Sequence, residues 1–194
     1  MSPTLLLKNA LVIATMDDEQ REIANGSVFI RGNRVEAVGP ASELPATADK
    51  VIDMIGHVLI PGLINTHHHM FQSLTRALPA AQDAELFDWL TALFPVWQNI
   101  TPAMQRAATR TAMAELMLSG CTTAADHAYL YVNGTRLDDS VQAAQEMGMR
   151  FHAVRGAMSL GQSKGGLPPD ALVEQDEDAI LKEMQRVVEE LHDA

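Results

Sequence analysis

The order of elements after residue 56 limits the folds open to this chain more than any other feature. An apolar, extended-friendly run from His57 to Ile64 leads into His67-His68-His69. Thr101 followed by Pro102 is a helix N-cap with proline at the first helical position, and the helix runs to about Ser119, where Gly120 ends it. Its residues Met104, Ala107, Ala108, Thr111, Ala114 and Leu118 fall on one helical face, the one expected toward the core. Cys121–Asp126 reads as a buried strand, Asp138–Met147 as a helix closed by Gly148, Arg150–Gly156 as a further strand, and 176–191 as a last helix. Strand, helix, strand, helix, strand implies parallel pairing through crossover helices. Residues 70–79 have no clear period, and 84–94 read as a short helix or lid-like loop of the kind that holds ligands at strand ends.

Residues 5–58 have another texture. Apolar residues recur there at a spacing of two, and Arg31-Gly32-Asn33-Arg34 is a tight hairpin connection, so a small antiparallel β unit is expected. It has too few strands to stand as a sandwich and should recruit partners from elsewhere. Three parallel strands cannot close a barrel of eight, and an open parallel sheet leaves faces and edges uncovered. The 194 residues therefore read as the N-terminal part of a longer enzyme, with a genuinely short protein carrying an open parallel sheet as the alternative.

Composition narrows the function. A hydrophobic content of 47% supports a real core. A net charge of -11 and a pI near 4.9 argue against nucleic acid, which demands a basic footprint. One cysteine, Cys121, cannot form an internal disulfide, which fits a reducing compartment. The start, Met1-Ser2-Pro3-Thr4, lacks the basic flank of a leader, and no stretch approaches the roughly 18 apolar residues of a membrane span. No membrane association is expected, and the cytoplasm is the expected location.

The three histidines carry the chemistry. In an extended chain His67 and His69 leave one face and His68 the other, so the outer pair can converge on one metal ion while His68 is expected to be structural. Zinc takes neutral imidazole nitrogens, and a catalytic zinc needs one or two further protein ligands and an open position for water. This segment supplies half a site.

Several further residues, in order along the chain, extend the pattern: Asp53 with Gly56, Pro61-Gly62-Leu63-Ile64-Asn65-Thr66-His67-His68-His69, Trp89-Leu90, Gly120-Cys121-Thr122-Thr123 and Gly148-Met149-Arg150. In these the chain resembles the amidohydrolase superfamily, specifically its cytosolic aminohydrolase branch of guanine deaminases and chlorotriazine hydrolases. The wording of 70–76 and 82–90 is most similar to the 8-oxoguanine deaminase group. The resemblance implies an α/β fold: 59–194 as the first βα units of a (β/α)8 TIM-type barrel, and 1–58 as part of a small β-sandwich assembled from both chain ends. It implies Zn(2+) held by His67 and His69, and hydrolytic release of ammonia from a purine-like base, with 8-oxoguanine favoured. The acid/base Glu and His and the remaining ligands, a His and an Asp, are expected beyond residue 194, so these residues alone are expected to be inactive.

Three residues match substrate-contacting positions of the relatives. Gln72 can hydrogen-bond a purine edge as donor and acceptor, with an exposed loop glutamine as the alternative. Trp89 can wall a planar heterocycle or plug the barrel mouth. Arg155, at a strand end, either points into the pocket or is a salt-bridged structural arginine. Asp126 and His127 lie at the same level, and His127 reads as a hydrogen-bonded structural residue rather than a pocket residue. Relatives acting on adenosine-type nucleosides carry a Glu where this chain reads Pro95-Val96-Trp97, and an indole cannot accept from sugar hydroxyls, which favours a free base.

The expected partners are a small heterocyclic molecule and water, with a homo-oligomer left open. A triazine or other heterocycle hydrolase of the same superfamily, including one that breaks an amide bond, is the alternative activity. A catalytically incomplete fragment or binding module is the alternative of another class.

Overall fold

A computed structural model describes residues 2–192, and the chain divides into two compact units, Met1–Pro61 and Gly62–Ala194. The first is one sheet. Strands β1 (Thr4–Ala14), β2 (Glu22–Arg31), β3 (Arg34–Pro40) and β4 (Lys50–Asp53) lie in the order β3-β2-β1-β4, and β5 (Val58–Leu59) also pairs with β1. The hairpin at Gly32 is present, with Arg31 opposite Arg34 and Gly32 at φ 58°. The unit is mixed rather than antiparallel: β4 and β5 both run parallel to β1. Pairings to such distant strands leave no local pattern, because both kinds of strand alternate alike. Leu6, Ala10, Ile13 and Phe29 are its buried apolar residues.

The apolar run from His57 to Ile64 is not one strand. Pro61-Gly62 divides it, Val58–Leu59 joining the first sheet and β6 (Leu63–Asn65) the second. The missing N–H of Pro61 breaks any continuous ladder there.

The second unit is a parallel βα assembly. β6, β7 (Cys121–Ala128) and β8 (Arg150–Arg155) form a three-stranded sheet in that order, all parallel. After β6 come α1 (Leu86–Trp97) and α2 (Pro102–Leu118), after β7 α3 (Leu137–Met147), and after β8 α4 (Glu177–Leu191). The Thr101 hydroxyl accepts from the Met104 N–H, and Gly148 takes the left-handed conformation that ends α3. None of the helices is long and apolar enough to cross a membrane among the described residues.

α2 buries a different face from the one its apolar spacing suggests. Gln105, Ala108, Thr109, Ala112 and Met113 are buried, whereas Leu118 is 89% exposed. The reason lies on α3: Gln105 Nε2 donates to Ser140 Oγ at 2.9 Å and Thr109 Oγ1 lies 3.3 Å from it, so polar side chains satisfied across the interface replace apolar ones. Arg106 to Asp139 and Arg110 to Glu146 rim this contact.

Two of the three apolar clusters among the described residues frame the site. Met70, Ala112, Met113, Cys121, Ala124, Ala144 and Met149 join α2 and α3 to the sheet. Beyond the carboxyl ends of the strands a second cluster gathers around Trp97, which is wholly buried. Its ring packs edge-on to Phe71 and Trp89, at centroid distances of 5.2 and 5.5 Å, and its Nε1 donates to Thr75 Oγ1 at 3.1 Å. Trp97 thus faces the core and not a ligand, and the inference drawn from its lack of an acceptor loses its footing. Trp97→Ala should destabilise the unit by about 3–5 kcal/mol and Trp97→Phe by roughly 1–2 kcal/mol, measured by denaturant unfolding.

Candidate metal centre and ligand pocket

Beyond Asn65 the chain leaves the sheet, and the Asn65 side-chain oxygen accepts from the His67 N–H at 3.0 Å. The next residues bring His67 Nε2 and His69 Nε2 to 3.2 Å, with rings nearly perpendicular at 87°. Two nitrogens on a tetrahedral metal at zinc–imidazole distance stand about 3.3 Å apart, so this spacing is that of two ligands sharing one ion. His69 Nδ1 lies 2.7 Å from the backbone oxygen of His127. A carbonyl can only accept, so Nδ1 carries the proton and Nε2 keeps its lone pair. Burial lowers the pKa of His69, against the raising effect of that hydrogen bond, and so favours the neutral, ligating form. The pair fits half of a zinc site; among the described residues no third His, Cys, Asp or Glu groups with it.

The end of β7 holds this segment in place. The His127 N–H donates to His68 O at 2.8 Å, and the Met70 N–H to Asp126 Oδ1 at 2.8 Å. With the His69 bond, residues 126–127 make three hydrogen bonds to residues 68–70. Asp126 is fully buried, and its Oδ2 has no hydrogen-bond partner among the described residues. Just past β8 there is a close approach: a Cβ on Gly156 would lie 2.3 Å from His127 Nε2 and 3.1 Å from Tyr129 Cβ.

An open cavity of about 520 Å³ lies beside the histidines, lined by His67, His69, Gln72, Thr75 and Trp89 with the Arg76–Glu115 ion pair. Four of the five residues singled out in the sequence therefore share one space. Gln72 Nε2 donates to Tyr129 Oη at 3.0 Å, and its amide oxygen makes no hydrogen bond among the described residues. Trp89 is half-buried, wedged edge-on against Trp97. His68 does not point away but lines the same cavity, because the chain has left the strand and its alternation no longer holds.

Arg155 stands apart. Its side chain is 4% exposed, lies 4.2 Å over the Tyr131 ring and is paired with Glu174 in a separate cavity. A guanidinium so engaged does not reach the space beside the histidines. His127 acts here through its backbone, its ring centroid 5.4 Å from that of His69. Sequence reasoning passed over Tyr129, although it follows His127 at the two-residue spacing that would have flagged a shared face.

The profile of the Amidohydrolase family matches residues 58–194. The chain is 43% identical over 188 residues to 8-oxoguanine deaminase of Pseudomonas aeruginosa, covering 96% of this chain and 41% of that protein. It is 35% identical over 187 residues to hydroxydechloroatrazine ethylaminohydrolase of Pseudomonas sp. strain ADP, covering 88% and 38%. Among solved structures, atrazine chlorohydrolase from Arthrobacter aurescens TC1 complexed with zinc superimposes with a TM-score of 0.87 at 28% identity, over 97% of this chain and 43% of the other. The chain spans about two-fifths of the length of these curated relatives.

Burial raises the pKa of Asp126 from the ordinary 3.8 to about 6, against the lowering effect of the Met70 N–H. The folded carboxyl therefore holds its proton at pH values where the unfolded one has lost it. Stability falls as pH rises from 3.8 to about 6, and above that window the burial cost of about 3 kcal/mol is carried in full. Asp126→Asn keeps an acceptor for Met70, so its stability relative to the parent should rise between about pH 4 and about pH 7 by that order. Urea unfolding at the two pH values measures this, and an equal difference at both would contradict it.

Proposed function

Because the chain belongs to the amidohydrolase family, we propose that it is part of a zinc-dependent aminohydrolase that removes an exocyclic amine from a purine-like base, with 8-oxoguanine as the favoured substrate. The observation that carries this reading is the convergence of His67 Nε2 and His69 Nε2 at 3.2 Å on the wall of a cavity that also holds Gln72 and Trp89. The 43% identity to an 8-oxoguanine deaminase supports the choice of base. In this reading 59–194 are the first units of a (β/α)8 barrel and 1–58 part of a β-sandwich, in a cytoplasmic protein. The parallel order β6-β7-β8 supports the barrel.

His67 and His69 would hold the zinc, with His127 O fixing the His69 tautomer. The chemistry such a metal supplies is Lewis acidity, which brings the pKa of water to about 7. Gln72 would present its free amide oxygen to a ring N–H, and the Trp89 face would flank the heterocycle. The balance is one base plus one water giving a carbonyl where the amine stood, and ammonia. The acid/base pair and remaining ligands belong to the complete enzyme, and residues 1–194 alone would be inactive. A triazine-type ring is the second reading, favoured by the likeness to a solved atrazine chlorohydrolase.

The complete protein, loaded with zinc, should hold about one ion per chain and release ammonia from 8-oxoguanine. His67→Ala and His69→Ala should each lower zinc content and cut kcat/KM at least about 100-fold. Turnover confined to triazines would favour the second reading, and no turnover across purines, pterins and triazines would end both.

A further inference from the structure

One aromatic residue behind the cavity has no part in the chemistry described so far. Tyr129 follows the last residue of β7, and its ring is enclosed by three others: His69 at 5.1 Å, Phe71 at 5.3 Å and His127 at 5.6 Å between centroids. The first two meet it nearly at right angles, 84° and 85°, so neither swing nor tilt is open to it without moving a histidine or a core phenylalanine. The phenol oxygen is therefore a fixed point, 3.0 Å from Gln72 Nε2. Gln72 itself has three rotatable side-chain bonds and sits on an irregular 3₁₀ segment, Met70–Thr75, and among the described residues its amide makes no other hydrogen bond.

We propose that Tyr129 is a positioning residue: its hydroxyl, locked between His69, Phe71 and His127, pins the Gln72 amide so that the amide oxygen faces the cavity and accepts from a ring N–H of the bound heterocycle. This rests on the reading of Gln72 as a substrate contact. An amide held in its bound orientation avoids the ordering cost that a free glutamine meets each time a ligand arrives, so the effect falls on binding more than on the chemical step. The same ring touches His69, which links the ligand-holding amide to one imidazole of the metal pair through a single rigid side chain.

The test is a double-mutant cycle in the complete, zinc-loaded protein with 8-oxoguanine, read as KM, kcat and the equilibrium Kd of the reaction product. Tyr129→Phe keeps the ring packing and removes only the hydroxyl. It should raise KM and product Kd about tenfold, the worth of one neutral hydrogen bond, with kcat within about threefold and zinc content and Tm unchanged. Gln72→Ala should raise KM at least as much, and Tyr129→Phe added to Gln72→Ala should cost nothing further. If Tyr129→Phe leaves KM and Kd unchanged while Gln72→Ala raises them, or if the two effects multiply in the double variant, the positioning role is overturned and the substrate contact stands. If Gln72→Ala changes neither KM nor Kd, the substrate contact fails and takes this inference with it.

Discussion

Three hydrogen bonds between residues 68–70 and 126–127 give the candidate metal centre its shape, and the neighbouring elements are arranged around them. Past Asn65 the chain has no ladder of its own, and the spacing of His67 and His69 would be one conformation among many in a free loop. Each bond contributes on the order of 1 kcal/mol to stability, but their larger effect is geometric. The bond to His127 O fixes one tautomer, the bond to His68 O fixes the backbone between the two rings, and the buried Asp126 carboxyl anchors the turn into the core. A carboxylate costs stability at that depth, and the half-satisfied Asp126 is where the fold gives up stability to keep a functional conformation.

The cavity beside the histidines owes its walls to a core that lies beyond the strands rather than between sheet and helix. Trp97 backs Trp89 and bonds Thr75 on the cavity wall, while Phe71 packs against Tyr129, which holds Gln72 from behind. Aromatic rings meeting edge to face are stiff, two-torsion side chains, and a pocket built on them has little freedom to collapse when empty. Arg155 belongs to another arrangement: with Glu174 and Tyr131 it ties the long segment after β8 back to the strand end.

Much of this was legible in the residues themselves wherever the controlling interaction is local. Thr101-Pro102, Gly148 and the Arg31–Arg34 turn announce their elements because caps and turns depend on the few residues that form them. The approach of His67 to His69 was legible in their spacing. What could not be read were the choices made between distant residues. The buried face of α2 depends on Ser140, the pairing of β1 with β4 on a strand that starts at residue 50, and the place of Arg155 on Glu174, nineteen residues further on. The alternation assigned to His68 failed for a different reason: the strand ends at Asn65, so a period of two was applied where no strand exists.

Gly156 constrains the site through the space it leaves unfilled. It touches no ligand, yet the imidazole of His127 and the Cβ of Tyr129 fill the volume into which any side chain there would grow. A methyl group at that position would press on the residue whose carbonyl holds His69 and on the one that holds Gln72. The first position past β8 therefore limits where His127 and Tyr129 can sit. A side chain at this single position would displace His127 and Tyr129, and through them disturb His69 and Gln72, which belong to another part of the chain.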